Sequence, residues 1–147
     1  VSFAFCDDFD LLRGADGISL RIREKHPGGG AILPFYYYDI LWNGAPAGKI
    51  SIRIGDNYHS YFNGHVGYEV DAPYRGHRLS LRALRLVLPV ARRHGMTRLY
   101  LTCREDNAAS RAILEAAGAR FLEAVPLPPD YFAWQPGVIQ RIYELQL

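Results

Sequence analysis

The sequence predicts an α+β (mixed α/β) fold: a central, mostly antiparallel sheet with one parallel strand pair and flanking helices. Three observations point there. The first half of the 147-residue chain alternates apolar and polar residues in short runs separated by turn residues. The second half carries helical spacing over residues 78–94. A strand, that helix and another strand succeed one another over residues 65–103, the order of a right-handed crossover that sets its two strands parallel.

Residues 1–16 mix Phe3, Phe5, Phe9, Leu11 and Leu12 with Asp7, Asp8 and Asp10, which suits a short helix packing an aromatic edge. Residues 18–23 alternate as a strand, and Pro27-Gly28-Gly29-Gly30 is a loop. Residues 35–42 are dense in aromatic and β-branched side chains, a strand composition. Asn43-Gly44 then signals a hairpin. In residues 49–54, Ile50, Ile52 and Ile54 face one way and Lys49, Ser51 and Arg53 the other. Residues 65–70 form the next strand.

In the helix, Leu81, Leu84, Leu88 and Ala91 form one stripe, with Arg78, Arg82, Arg85 and Arg92 outside it. Pro89 lacks the N–H that would bond the Arg85 carbonyl, so a bend is expected, and Gly95 is a natural stop. Residues 98–103 return as a strand. Asp106 or Asn107 caps a second helix that reaches Ala117 and ends at Gly118. Residues 119–125 and 138–147 are strands, separated by Pro126, Pro128 and Pro129.

The length fits one domain spanning residues 1–147. Hydrophobic residues make up 49% and charged residues 22% of the chain, an ordinary globular balance. No apolar run approaches the ~20 residues of a membrane span, and no signal peptide is expected. The chain begins at Val1 rather than Met, which leaves room for missing or processed N-terminal sequence. Cys6 and Cys103 form no CxxC pair and no metal-ligand spacing, so the reading is a reduced, cytoplasmic protein without a metal. The net charge of +2 argues against nucleic acid. Yet Arg75, His77, Arg78, Arg82, Arg85, Arg92, Arg93 and His94 crowd into twenty residues.

The front of that cluster carries the chemistry. A strand ends near Val70, a loop of Pro73 and Gly76 comes next, and the helix begins near Arg78. Such an entry leaves unpaired N–H groups at the helix N-terminus, which suit a phosphate, and Arg75 and Arg78 add charge for the same anion. The arginines farther along the helix read as a solvated basic face.

Val70-Asp71-Ala72-Pro73-Tyr74-Arg75-Gly76 resembles the V-x-P-x-Y-R-G stretch of the GNAT superfamily of N-acetyltransferases, and the run from Arg75 to Ser80 is similar to that family's pyrophosphate loop. Asn107-Ala108-Ala109-Ser110, with Gly118 beyond, resembles its N-x-x-[AS] helix, about thirty residues downstream. The resemblance is good over residues 64–121. It implies a GNAT-like fold and an acyltransferase that moves an acetyl or other short acyl group from acyl-CoA to a primary amine by direct transfer. Acetyl-CoA would be the co-substrate. Val70 would pair with the pantetheine arm, and Arg75, Gly76, His77, Arg78, Leu79 and Ser80 would hold the pyrophosphate. Asn107 would contact pantetheine and Ser110 would lie along the cofactor. Three positions depart from the pattern: Arg78 stands where Gly is usual, Ser80 where Gly or Ala is usual, and Leu114 where many members carry a Tyr that acts as general acid.

The amine acceptor must lose a proton, and Glu69 and His65, both on the strand that ends at the cofactor, are the candidate bases. Tyr131, in the loop Pro128-Pro129-Asp130-Tyr131-Phe132-Ala133-Trp134, is the candidate acid. The acceptor itself, a small molecule or a peptide amine, is open, as is a homodimer. Two other readings stay open beside this one. One is a GNAT-fold sensor that binds acyl-CoA without catalysis. The other is a nucleic-acid-binding domain using the arginine-rich helix.

Overall fold

The computed structural model describes residues 3–147. The alternating first half supplies β1 (Leu11–Arg13), β2 (Ile18–His26), β3 (Phe35–Trp42), β4 (Ala45–Arg53) and β5 (Val66–Val70). These form one antiparallel sheet in the order β1-β2-β3-β4-β5. Asn43 and Gly44 join β3 to β4 with left-handed backbone angles (φ 51° and 83°), as a two-residue hairpin requires. Alternation buries Tyr36, Tyr38, Ile40, Ile50 and Ile52 completely on one face. The buried phenols have partners. Tyr38 donates to the Phe9 carbonyl at 2.8 Å, and the Tyr36 hydroxyl lies 2.7 Å from His94 Nε2.

Over the described residues 3–16 the expected N-terminal helix is not formed. The chain makes a single 3-10 turn, Asp7–Phe9, and then enters β1. Pairing Leu12 with Leu20 of β2 satisfies this backbone at the sheet edge, and Lys25 of β2 holds both Asp7 and Asp10 at 2.6 Å.

The short helix α1 (Ser60–Asn63) precedes β5, and α2 (Leu79–Arg93) comes after it. Leu79, Ala83, Leu84, Val87, Val90 and Ala91 bury the inner face of α2 against β2, β4 and β5. The helix runs through Pro89 to Arg93. It ends at Gly95 (φ 81°), where the Met96 N–H reaches back to the Ala91 carbonyl at 3.1 Å. Three of its arginines have partners, Arg85 donating to the Ala116 carbonyl at 3.2 Å. Arg82 donates to the Ala15 and Asp16 carbonyls, and Arg93 pairs with Asp8 at 2.8 Å.

The rest of the chain adds β6 (Arg98–Arg104), α3 (Ala108–Ala116), β7 (Arg120–Pro126) and β8 (Ile139–Gln146). The three strands form a second antiparallel sheet in the order β6-β8-β7. One apolar cluster joins the two sheets and both long helices, with Leu20, Ile50, Leu84, Leu101, Leu114 and Tyr143 among its members. Among the described residues no helix is long and apolar enough to cross a membrane.

The parallel ladder expected between residues 65–70 and 98–103 is reduced to one backbone hydrogen bond, from the His65 N–H to the Tyr100 carbonyl at 2.8 Å. The reason lies at Gly64, which turns with φ 74° against β6. A Cβ there would sit 3.0 Å from Thr102 Oγ1 and 3.2 Å from the Tyr100 carbonyl oxygen. The two strands are pinched together at this point and belong to different sheets beyond it. That divergence opens a cleft between the two strands.

Candidate active site

The cleft between β5 and β6 has a volume of about 620 Å³ and runs from Asn63 and Arg53 at the pinch to Arg75 and Ser80 at the start of α2. That volume suits a small-molecule ligand. Its wall along β5 is a free sheet edge. In an antiparallel ladder, a hydrogen-bonded pair turns both of its backbone groups toward the partner strand. The Arg53 N–H to His65 and Asp71 N–H to Ala47 bonds, with Lys49 opposite Glu69, put the odd-numbered residues in that role. The N–H and C=O groups of Tyr68 and Val70 therefore point away from β4, into the cleft. The Val70 carbonyl takes a bond from Arg75 Nε at 3.1 Å, which anchors the loop.

At the far end stands the N-terminus of α2. Arg78 is its cap residue, and no side chain caps the first turn. The first helical bond found there is Arg82 N–H to the Arg78 carbonyl at 3.0 Å, which leaves the N–H groups of Leu79, Ser80 and Leu81 without helical partners. Arg75, Gly76, Arg78, Leu79 and Ser80 all line the cleft there. Arg78 adopts left-handed angles, φ 58° and ψ 29°, at the position where the family pattern has Gly. That conformation costs an ordinary residue roughly 1–2 kcal/mol. Arg78→Gly should therefore stabilise the fold by up to about 1 kcal/mol after the extra chain entropy of Gly is subtracted. Thermal melting should read this as a rise of about 2–4 °C; a fall would show that the Arg78 side chain, not its backbone, governs this corner.

The opposite wall comes from β6 and α3. Asn107 caps α3, its Oδ1 accepting the Ser110 N–H at 3.0 Å. Ser110 Oγ lies 2.6 Å from the Tyr68 hydroxyl, a bridge across the cleft. Burial holds the Tyr68 phenol above its usual range, so it stays protonated at neutral pH. Leu114 is buried in the core and contributes nothing to the cleft. Cys103 touches the cleft wall but is buried, with its thiol pushed up by that burial, as expected of a small core residue.

A match with the sequence profile of the Acetyltransferase (GNAT) family covers residues 13–119, well over half of the chain. The chain belongs to the acetyltransferase (GNAT) family. No curated protein matches it by sequence. Its fold is similar to that of several GNAT structures. One is the Salmonella typhimurium acetyl transferase that modifies the N-terminal serine of 50S ribosomal subunit protein L7/L12. It is 22% identical, with 77% of this chain and 64% of that one covered and a TM-score of 0.59. Another is the microcin C7 self-immunity acetyltransferase MccE in complex with acetyl-CoA and AMP, at 19% identity, 77% and 61% coverage and a TM-score of 0.60. A third is RimL, the ribosomal L7/L12 alpha-N-protein acetyltransferase, in complex with coenzyme A. It stands at 20% identity, 77% and 62% coverage and a TM-score of 0.61. This GNAT chain thus spans under two thirds of the length of those structures.

Of the expected site residues in this GNAT domain, Glu69, Val70, Arg75, Gly76, Arg78, Leu79, Ser80, Asn107 and Ser110 all line the one cleft. Three do not. The His77 ring packs against Trp42 at a tilt of 39°, with centroids 4.2 Å apart. His65 is fully buried between the sheets. Its Nδ1 accepts the Tyr100 N–H at 2.9 Å, which puts the proton on Nε2, facing the Gly55 carbonyl at 2.8 Å. Burial also lowers its pKa. No lone pair is left for a base, so His65 is a packed histidine that locks the pinch. Tyr131 is buried with Phe62, Leu127 and Val138, and its hydroxyl donates to Asn63 Oδ1 at 3.1 Å. Asn63, not Tyr131, faces the cleft.

Arg53, Asn63, Tyr68 and Thr102 also line the cleft, although no sequence motif marks them. Tyr68 had a signal: it alternates with Val70 on the strand assigned to the cofactor. Arg53 looked like an ordinary outward-facing charge on an alternating strand.

Proposed function

We propose that this protein is an acyl-CoA-dependent N-acyltransferase that moves an acetyl or other short acyl group directly onto a primary amine. One observation carries the reading. The free edge of β5 and the uncapped N-terminus of α2 open into the same cleft, an arrangement that suits an extended ligand with an anionic end. Phosphate oxygens would meet the N–H groups of Leu79 and Ser80 with Arg75 and Arg78 beside them. An amide-bearing arm would lie along Tyr68 and Val70 like an added strand. The Asn107 side chain would hold it from the α3 side. Bound there, acyl-CoA supplies an activated thioester.

The chain's own groups then have separable roles. The Tyr68 N–H, directed away from β4 and nearer the pinch than Val70, would polarise the thioester carbonyl. The Tyr68 and Ser110 hydroxyls, 2.6 Å apart, would donate to the sulfur as it gains charge, in place of the absent Tyr at position 114. Glu69, exposed on the lip of the cleft, would take the amine's proton directly or through water. Holding both reactants in one geometry supplies much of the rate.

The test is thiol release from acetyl-CoA across a panel of amines. Acetyl-CoA should be consumed only when an amine is present, with one N-acetyl product formed per thiol released. Saturable acetyl-CoA binding without release for any amine would replace this reading with that of a non-catalytic sensor.

A further inference from the structure

Arg53 sits where the cleft meets a second cavity of about 280 Å³, formed by Ala31, Ile32 and Leu33 of the glycine loop with Asn57, His59 and Phe132. Its guanidinium lies over Gly67, where a Cβ would come within 3.2 Å of Nη2, so the missing side chain makes room for it. Nη1 donates to the Gly64 carbonyl at 3.1 Å. Among the described residues no carboxylate lies within 4.0 Å of this guanidinium; the other arginines without one, Arg13, Arg21, Arg75, Arg78, Arg85 and Arg92, are exposed, and half-buried Arg82 donates to the Ala15 and Asp16 carbonyls instead. Burial lowers the Arg53 pKa, countered only by the nearby Tyr131 phenol. A partly buried cation without an anion is costly to keep. Its five N–H donors form a fork that matches a carboxylate.

Its position separates it from the phosphate end. Val66 and Val70 stand at opposite ends of β5, about 13 Å of strand apart, and the N-terminus of α2 is farther still. Arg53 therefore faces the end of the cleft at which the acyl group and the incoming amine would meet. The cavity beside it opens between Ile32 and Phe132, which are 48% and 50% exposed.

We infer that the acceptor amine also carries a carboxylate, and that Arg53 holds that carboxylate in the cavity between the glycine loop and the Phe132 loop. This rests on the acyl-transfer reading and narrows it to an amino-acid-like acceptor. The carboxylate comes either from a free amino acid or from a peptide with an acidic group near its amine. Arg53 then sets acceptor specificity rather than cofactor affinity.

The experiment compares matched acceptors. Free amino acids are set against their amides and decarboxylated amines, and dipeptides with an acidic second residue against those with the amide. Each pair is assayed for thiol release and, separately, for its shift of the melting temperature with and without acetyl-CoA. At least one class should favour the carboxylate member by roughly 100-fold in kcat/KM, mostly through KM. The class that does so identifies the source. Arg53→Gln should reduce that preference to within about threefold while leaving acetyl-CoA affinity within the same margin. It should melt at the same temperature or higher, since it removes a cation without an anion. Equal rates and equal melting shifts across all pairs in the natural protein, with acetyl-CoA bound, would overturn the inference. So would a preference that survives Arg53→Gln. Carboxylate-specific, Arg53-dependent melting shifts without any acetyl-CoA binding would uphold it and overturn the acyl-transfer reading instead.

Discussion

Ser80→Glu should weaken acetyl-CoA binding by at least a hundredfold while leaving the fold as stable as before, or more so. Ser80 is the second residue of α2 and lines the phosphate end of the cleft. A carboxylate there would occupy the N–H groups that a pyrophosphate needs, and it would repel that group's charge. Two like charges about 4 Å apart at an effective dielectric near 20 interact by about 4 kcal/mol. That exceeds the ~2.8 kcal/mol of a hundredfold change. For the fold alone the sign reverses, since an acidic residue in the first turn of a helix stabilises it by about 0.3–1 kcal/mol. Calorimetric titration and melting of the same variant should therefore move in opposite directions. Unchanged affinity would place the anion elsewhere.

Tyr68→Phe should lower kcat by about a hundredfold with little change in acetyl-CoA affinity. The hydroxyl bridges to Ser110 across the cleft, and its donor becomes valuable only when charge develops on the leaving sulfur. Losing one donor aimed at developing charge costs about 10²–10³ in rate. Ser110→Ala should act similarly. The double substitution should cost far less than the product of the two, because the hydroxyls work as a pair. A drop in melting temperature worth more than about 1.5 kcal/mol would instead mark the bridge as structural. An unchanged kcat would assign the proton to solvent.

Much of the fold was legible because local signals agreed with global ones. The isoleucines of β4, the Asn43-Gly44 hairpin, the stripe of α2 and the Asn107 cap each stem from spacing or capping chemistry that the tertiary structure did not override. The N-terminal piece was misread as helix because its pairing partner, β2, is a nonlocal feature. The divergence of β5 from β6 was missed for the same reason. The crossover rule concerns strands in one sheet, and nothing in residues 65–103 announces that β6 pairs with β8 instead.

The phosphate end of the site was readable because backbone geometry and charge coincide within a few residues of one another. The acceptor end was not. Arg53, Asn63 and Tyr68 come from different elements, and they meet only through the pinch at Gly64. His65 shows the converse. A histidine on the right strand drew attention as a base, yet both of its nitrogens hold the two sheets together.

The central claim is that the cleft between β5 and β6 takes acyl-CoA. Calorimetric titration of acetyl-CoA into the protein tests it most directly. It should show saturable one-to-one binding with a Kd between about 1 μM and 1 mM, accompanied by a rise in melting temperature. The absence of both heat and melting shift at millimolar acetyl-CoA would contradict it.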